Sequence, residues 1–218
     1  MKKHSESEEN YIKALYHLGG EQPVSNGDLA QRIGAKGSSV TQAVKRLSQK
    51  NLVSVVPYKG VQLTPEGVDL AKSILRKHRL WETFLVEKLR FGWDEVHPLA
   101  EQLEHIQSEE LIERLSDFLG APKHDPHGDP IPERNGDMPP VLGAPLGAFE
   151  PGDRIRIVRV EDAGTEFFNQ LDAMKISLGN AYAVHSISSF DASVQLQGAS
   201  GSFWLSQSMS ANIYAVHA

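Results

Sequence analysis

The 218-residue sequence predicts an α+β protein: a winged helix-turn-helix arrangement at the N-terminus, further helices in the middle, and an all-β small barrel at the C-terminus. Three observations predict it. Between residues 8 and 119, apolar side chains recur at helical spacing, interrupted once by two short β-branched runs. Residues 120–147 hold seven of the chain's twelve prolines and five glycines in 28 residues, the composition of an irregular linker. From Phe149 onward, short alternating runs are separated by Gly, Ser and Asp. The 40% hydrophobic and 23% charged content fits an ordinary globular protein.

The elements follow in order. Residues 8–18 place Tyr11, Ile12, Leu15, Tyr16 and Leu18 on one side of a helix that Gly19 and Gly20 stop. Ser25 precedes Asp28 by three residues, a capping pattern for a short helix over 26–33 that Gly34 ends. A third helix, about 38–50, is capped by Ser38 or Ser39 and turns Val40, Val44 and Leu47 inward. Leu52–Val56 and Val61–Leu63 form a β-ribbon around the turn Pro57-Tyr58-Lys59-Gly60. Thr64 caps and Pro65 opens a long helix over 65–90. Helix, helix-turn-helix, ribbon, helix is the order of a winged helix-turn-helix domain. Two more helices span about 94–106 and 108–119. The β region has runs at 155–160, 182–187, 193–197, 202–206 and 212–218, with one helical stretch at 166–174. The expected domains are therefore 1–64, 65–119, a linker over 120–147, and 148–218.

Charge is unevenly shared. The net charge is −6, yet residues 20–60 carry six Lys and Arg against two acidic residues, net +4. Residues 94–117 carry one Arg against eight acidic residues, net −7. A basic unit joined to an acidic helical one suggests two jobs on one chain. The absence of cysteine excludes disulfides, Cys-based zinc fingers, iron–sulfur clusters and thiol nucleophiles. No apolar run reaches a membrane span, and MKKHSESEENY has no apolar core of a secretory signal, so no membrane association and a cytoplasmic location are expected.

The acidic helices carry the informative chemistry. His78 and Glu82 are i and i+4 on the long helix. His97, Glu101, Glu104 and His105 are i, i+4, i+7 and i+8 on the next, beside an apolar side of Leu99, Leu103 and Ile106. Six imidazole and carboxylate donors on two adjacent helices could surround one or two divalent cations, of the series Mn²⁺ to Zn²⁺. Either pair taken alone reads as a solvated surface pair. Together, and half-buried, the carboxylates would repel one another and lose hydration, and a cation removes both costs.

RKHRLWETFLVEKL, VHPLAEQLEHI and DPHGDPIP (125–132) resemble the diphtheria toxin repressor / manganese transport regulator family of metal-dependent transcriptional regulators. The resemblance covers nearly the whole chain, and more weakly GTEFFNQLDAMKISLG (164–179). It implies a long-form homodimer with a C-terminal SH3-like domain that represses manganese or iron uptake from palindromic duplex operators. It implies an ancillary metal site at His78, Glu82 and His97, and a primary site at Asn10, Glu101, Glu104 and His105. The iron branch has Met and Cys at the first two primary positions and the manganese branch Asp and Glu. Glu101 sides with manganese, whereas Asn10 matches neither and offers a neutral amide oxygen. Gly164 and Phe167 stand where the family's C-terminal domain donates ligands, and Glu166 is the nearby substitute. The implied cofactor is Mn²⁺, with Fe²⁺ next, and other divalent metals bind in vitro.

The helix beginning near Ser38 is the expected DNA reader. Ser38, Ser39, Thr41 and Gln42 reach phosphates or base edges, with Gln42 suited to adenine. Lys36, Lys45, Arg46 and, at the wing tip, Lys59 contact phosphate. Trp81, Trp93, Phe84, Leu85 and Leu89 are read as packing. His124 and His127 are read as loop residues, and His185 and His217 as solvent-facing. Two competing functions remain: a metalloenzyme on the His/Glu cluster, and a winged-helix regulator of an organic ligand. The first lacks a recognisable general base, nucleophile or oxyanion device, so a non-enzyme is expected.

Overall fold

A computed structural model describes residues 4–161, 163–199 and 201–218. The chain forms two compact units. The first comprises Met1–His78, Glu101–Glu109 and Pro132–Asp137; the second comprises Arg79–Ala100, Glu110–Ile131 and Met138–Ala218.

The first unit begins with α1 (Glu6–Gly19). The Ser5 hydroxyl accepts from the Glu8 amide, and the Ser5 amide donates to the Glu8 carboxylate, a reciprocal cap that starts the helix two residues before the apolar spacing shows it. Next come α2 (Asn26–Ile33), capped by Ser25, and α3 (Gly37–Gln49). The expected Ser38 or Ser39 cap of α3 is not formed. Lys36 holds the cap position without a side-chain bond, leaving both serines exposed in the first turn. The hairpin pairs β1 (Val53–Val56) with β2 (Gly60–Leu63) in the register Val53↔Leu63. Val24 exchanges backbone hydrogen bonds with Val61, and a Cβ on Gly60 would lie 2.0 Å from the Val24 carbonyl oxygen, so only glycine lets the wing dock there. The core of this unit gathers Ile12, Leu15, Leu29, Val40, Leu47, Val61 and Ile74. Thr64 accepts from the Gly67 amide and caps α4 (Pro65–Leu89).

The remaining helices are α5 (Trp93–Leu103) and α6 (Glu109–Phe118). In the second unit Leu80, Ile112, Leu115 and Ile131 form a small core under Trp81 and Phe84. The Pro/Gly-rich stretch holds little regular structure: a His124–Pro130 bridge, the two-residue β3 (Ala144–Pro145) and a 3₁₀ turn over Leu146–Ala148. It is nevertheless packed, with Asp125, His127 and Ile131 buried.

The C-terminal sheet adds β4 (Arg154–Val160), β5 (Ala181–Ile187), β6 (Val194–Gly198), β7 (Gly201–Leu205) and β8 (Ile213–His217). It is an antiparallel sheet in the order β3-β8-β4-β5-β6-β7, with bulges in β4 and β5. Helices α7 (Thr165–Ala173) and α8 (Gln207–Ser210) complete it, and Ile155, Ile157, Leu171, Leu196 and Ile213 fill its core.

Candidate metal centre

Within the first unit, three segments distant in sequence meet at one group of ionisable side chains. Glu104, whose side chain is fully buried, stands at its centre. One carboxylate oxygen is 2.6 Å from His78 Nδ1, the other 2.6 Å from Lys13 Nζ. Burial works to raise the Glu104 pKa; the hydrogen bond and charge of His78, with those of Lys13, outweigh it and hold the carboxyl below its ordinary value. Glu101 lies 3.4 Å from Lys13 Nζ and is exposed. His105 Nδ1 is 2.6 Å from Glu9 Oε2, and the other Glu9 oxygen accepts from Gln107 at 2.7 Å. Lys77 is buried nearby. Burial lowers its pKa despite the charges of Glu9 and Glu104. A cavity of about 630 Å³, lined in part by His4, Ser5, Glu9, His105 and Gln107, opens beside the group.

The sequence places Asn10 here; the structure places Glu9. Asn10 is exposed on α1, whereas Glu9 is 2% exposed. Adjacent residues on a helix differ by about 100°, so only one of the two faces His105. Carboxylates and imidazoles, partly desolvated and close together, fit a hard or borderline divalent ion.

A second group lies within the second unit. Glu82, on α4 one turn after His78, is 3% exposed. Its oxygens lie 3.5 Å from His97 Nδ1 and 3.9 Å from His127 Nδ1. Candidate ligand atoms of Glu82, Asp125 and His127, all buried, fall within 4.8 Å of one another. The Asp125 carboxyl is held well above its ordinary pKa, first by burial, then by the charge of Glu82. Its Oδ1 accepts from the amides of His127 and Asp129, closing the turn that aims His127 inward. Trp93 and Phe168 sit against the His127 ring, at 5.5 and 5.1 Å between centroids. Two buried carboxyls and imidazoles this close also fit a divalent cation.

His127 is therefore no ordinary loop residue, and Asp125 was not foreseen. The available signal was their D-P-H spacing in a turn fixed by Gly128. His124 does lie in the loop, 3.2 Å from the Pro140 carbonyl oxygen. Glu166 is exposed on the first turn of α7, while Phe168, also on α7, meets His127. His185 and His217 are exposed.

On α3, Ser38, Ser39, Thr41, Gln42, Lys45 and Arg46 are all exposed, opposite buried Val40, Ala43, Val44 and Leu47. The Thr41 hydroxyl bonds back to the Gly37 carbonyl at 3.0 Å, so in this rotamer it does not reach outward. Lys36 precedes the helix and Lys59 tips the wing, both exposed.

The chain is 32% identical over 190 residues to the diphtheria toxin repressor of Corynebacterium efficiens, spanning 82% of this chain and 83% of the relative. It belongs to the diphtheria toxin repressor family. The family's three modules match in order: iron dependent repressor, N-terminal DNA binding domain, at 3–61; iron dependent repressor, metal binding and dimerisation domain, at 64–133; and FeoA domain at 144–216. Another member, the iron-dependent repressor of Mycobacterium bovis, is 36% identical over 126 residues, 57% of this chain but only 54% of that protein's length. The first curated relatives are thus matched over little more than half their length. A solved structure described as a manganese-dependent transcriptional repressor in complex with manganese superposes with a TM-score of 0.85 at 34% identity, covering 97% of this chain and all of the other. Among the described residues, no helix of this family member is long and apolar enough to cross a membrane.

Proposed function

We propose that the chain is a metal-dependent transcriptional repressor that binds palindromic operator DNA as a homodimer when loaded with Mn²⁺, with Fe²⁺ next in preference. One observation carries the reading. Glu9, His78, Glu104 and His105, from α1, α4 and residues 101–109, converge in one compact unit that also contains the helix-turn-helix. Glu9, Glu101, Glu104 and His105 hold the first cation, Glu9 taking the place expected of Asn10. Glu82 and His97 with Asp125 and His127 hold a second. His78 bonds Glu104 of the first group, and Glu166 is exposed on α7. Hard oxygen donors and the manganese bound by the structural relative favour manganese.

A bound cation supplies positive charge where three carboxylates gather. The chain's own residues do the rest. Glu9 joins α1 to the segment bearing His105, His78 orients Glu104, and α3 presents Gln42 to base edges while Lys36, Lys45, Arg46 and Lys59 meet phosphates. Residues 1–64 serve as the DNA-binding domain and 65–119 as the metal-binding and dimerisation domain. Residues 120–143 connect them to an SH3-like domain that begins with β3 at Ala144, four residues earlier than the composition suggests. Two α3 helices in a symmetric dimer must meet half-sites about 34 Å apart, and a coupling of about 1–3 kcal/mol suffices for 5–150-fold regulation. A cytoplasmic, non-enzymatic role follows from this reading.

The test is Glu104→Ala, with duplexes selected by the wild-type chain from a random pool in Mn²⁺. DNA affinity loses its Mn²⁺ dependence while sedimentation shows the dimer intact. An unchanged Mn²⁺ response overturns the assignment.

A further inference from the structure

Glu104 has two carboxylate oxygens, and both are engaged: one by His78, the other by the ammonium of Lys13. Lys13 comes from α1, 91 residues away in sequence, and its side chain is 12% exposed, unusual burial for a lysine. The same ammonium lies 3.4 Å from Glu101. A compact cation thus sits between two of the carboxylates assigned to the first metal.

We propose that Lys13 is an internal countercation that competes with the divalent ion for Glu101 and Glu104, and so sets the metal concentration at which the first site fills. The inference rests on the metal reading of this cluster. Any ion reaching the Glu104 oxygen held by Lys13 must displace that ammonium or bind beside it, and both cost affinity. Charge balance points the same way. Glu9, Glu101 and Glu104 bring three negative charges, and Lys13 and Lys77 two positive ones. A dication added with both lysines in place leaves the cluster net positive; with Lys13 withdrawn it is neutral. Lysine suits the task because its four-carbon stem lets the ammonium swing to water, whereas arginine's planar fork grips two carboxylates more firmly. The exchange keeps the carboxylates paired at low metal and gives them up at high metal.

The experiment titrates Mn²⁺ into the full chain without DNA, against a fluorescent chelator, for wild type, Lys13→Gln, Lys13→Arg and Glu104→Gln. The binding phase of this site is the one that Glu104→Gln removes. Lys13→Gln tightens that phase about tenfold, the scale of one charge-assisted hydrogen bond. Lys13→Arg leaves it equal to wild type or weaker. In chelator Lys13→Gln melts below wild type, and in excess Mn²⁺ the two coincide. An unchanged or weaker phase in Lys13→Gln, or a tighter one in Lys13→Arg, overturns the proposal while leaving the metal reading intact. If Glu104→Gln leaves every phase unchanged, the metal reading fails and the proposal falls with it. Should Lys13→Gln not fold even in Mn²⁺, the arginine variant alone decides.

Discussion

Glu9 Oε2 lies 2.6 Å from His105 Nδ1, across 96 residues of chain. This contact joins the first helix of the DNA-binding unit to the acidic segment, and it does so one residue away from where the family pattern puts the ligand. Glu9→Gln is expected to abolish Mn²⁺-stimulated DNA binding. Asn10→Ala changes it less than about threefold, because Asn10 faces solvent. Fluorescence anisotropy with labelled duplex in Mn²⁺ and in chelator measures both; equal losses would contradict the placement.

Asp125 shares a buried pocket with Glu82, and its raised pKa means that the charged carboxylate is disfavoured in the folded chain. For an acid with a raised folded pKa, the stabilising protonated form is lost as pH rises. Asp125→Asn keeps the Oδ1 acceptor for the His127 and Asp129 amides and removes the charge. At neutral pH in chelator it should melt higher, by about 2–4 °C for each kcal/mol relieved. In Mn²⁺ the second site weakens about 10–100-fold. Calorimetry with and without metal separates the two effects, and a lower melting temperature in chelator counts against the account.

Gly128 has φ +89°, and a Cβ there would lie 2.2 Å from the Val158 carbonyl oxygen. Gly128→Ala therefore disturbs the turn that buries His127. A loss of about 1–3 kcal/mol is expected from the backbone strain alone, more if the turn moves. Chemical denaturation reads the loss, and metal titration shows the second site weakened with the first unaffected.

Gln42 and Lys45 are exposed on the same face of α3, and the proposed function gives them different work. Gln42→Ala should cost about 1–3 kcal/mol on the selected duplex and relax preference at one base pair. Lys45→Ala should weaken all sequences alike and reduce the salt slope by about one. Affinities over a salt series on selected and scrambled duplexes distinguish these patterns.

The parts of this molecule legible in sequence are those with a period or a cap. Ser25 with Gly34, and Thr64 with Pro65, mark helix ends because their side chains or φ angles satisfy terminal backbone groups. His78 and Glu82 stand out through i, i+4 spacing on α4, and His97 and Glu101 through the same spacing on α5, whereas Glu104 and His105 lie past the end of α5. Glu9 is not marked in this way: its burial beside His105, with its neighbour Asn10 turned to solvent, depends on how α1 packs. Asp125 and His127 lie in an irregular segment with no period, so their convergence on Glu82 depends on tertiary packing. The Lys13–Glu104 pair is equally silent in sequence: any exposed-looking lysine on α1 could have been surface charge.

The central claim is that divalent metal at these clusters licenses DNA binding. Its most direct test is anisotropy of a labelled selected duplex titrated with the purified chain in Mn²⁺, in anaerobic Fe²⁺ and in excess chelator. Affinity at least tenfold higher with Mn²⁺ or Fe²⁺ than with chelator, at constant ionic strength, is the predicted result. Equal affinity in all three conditions contradicts it.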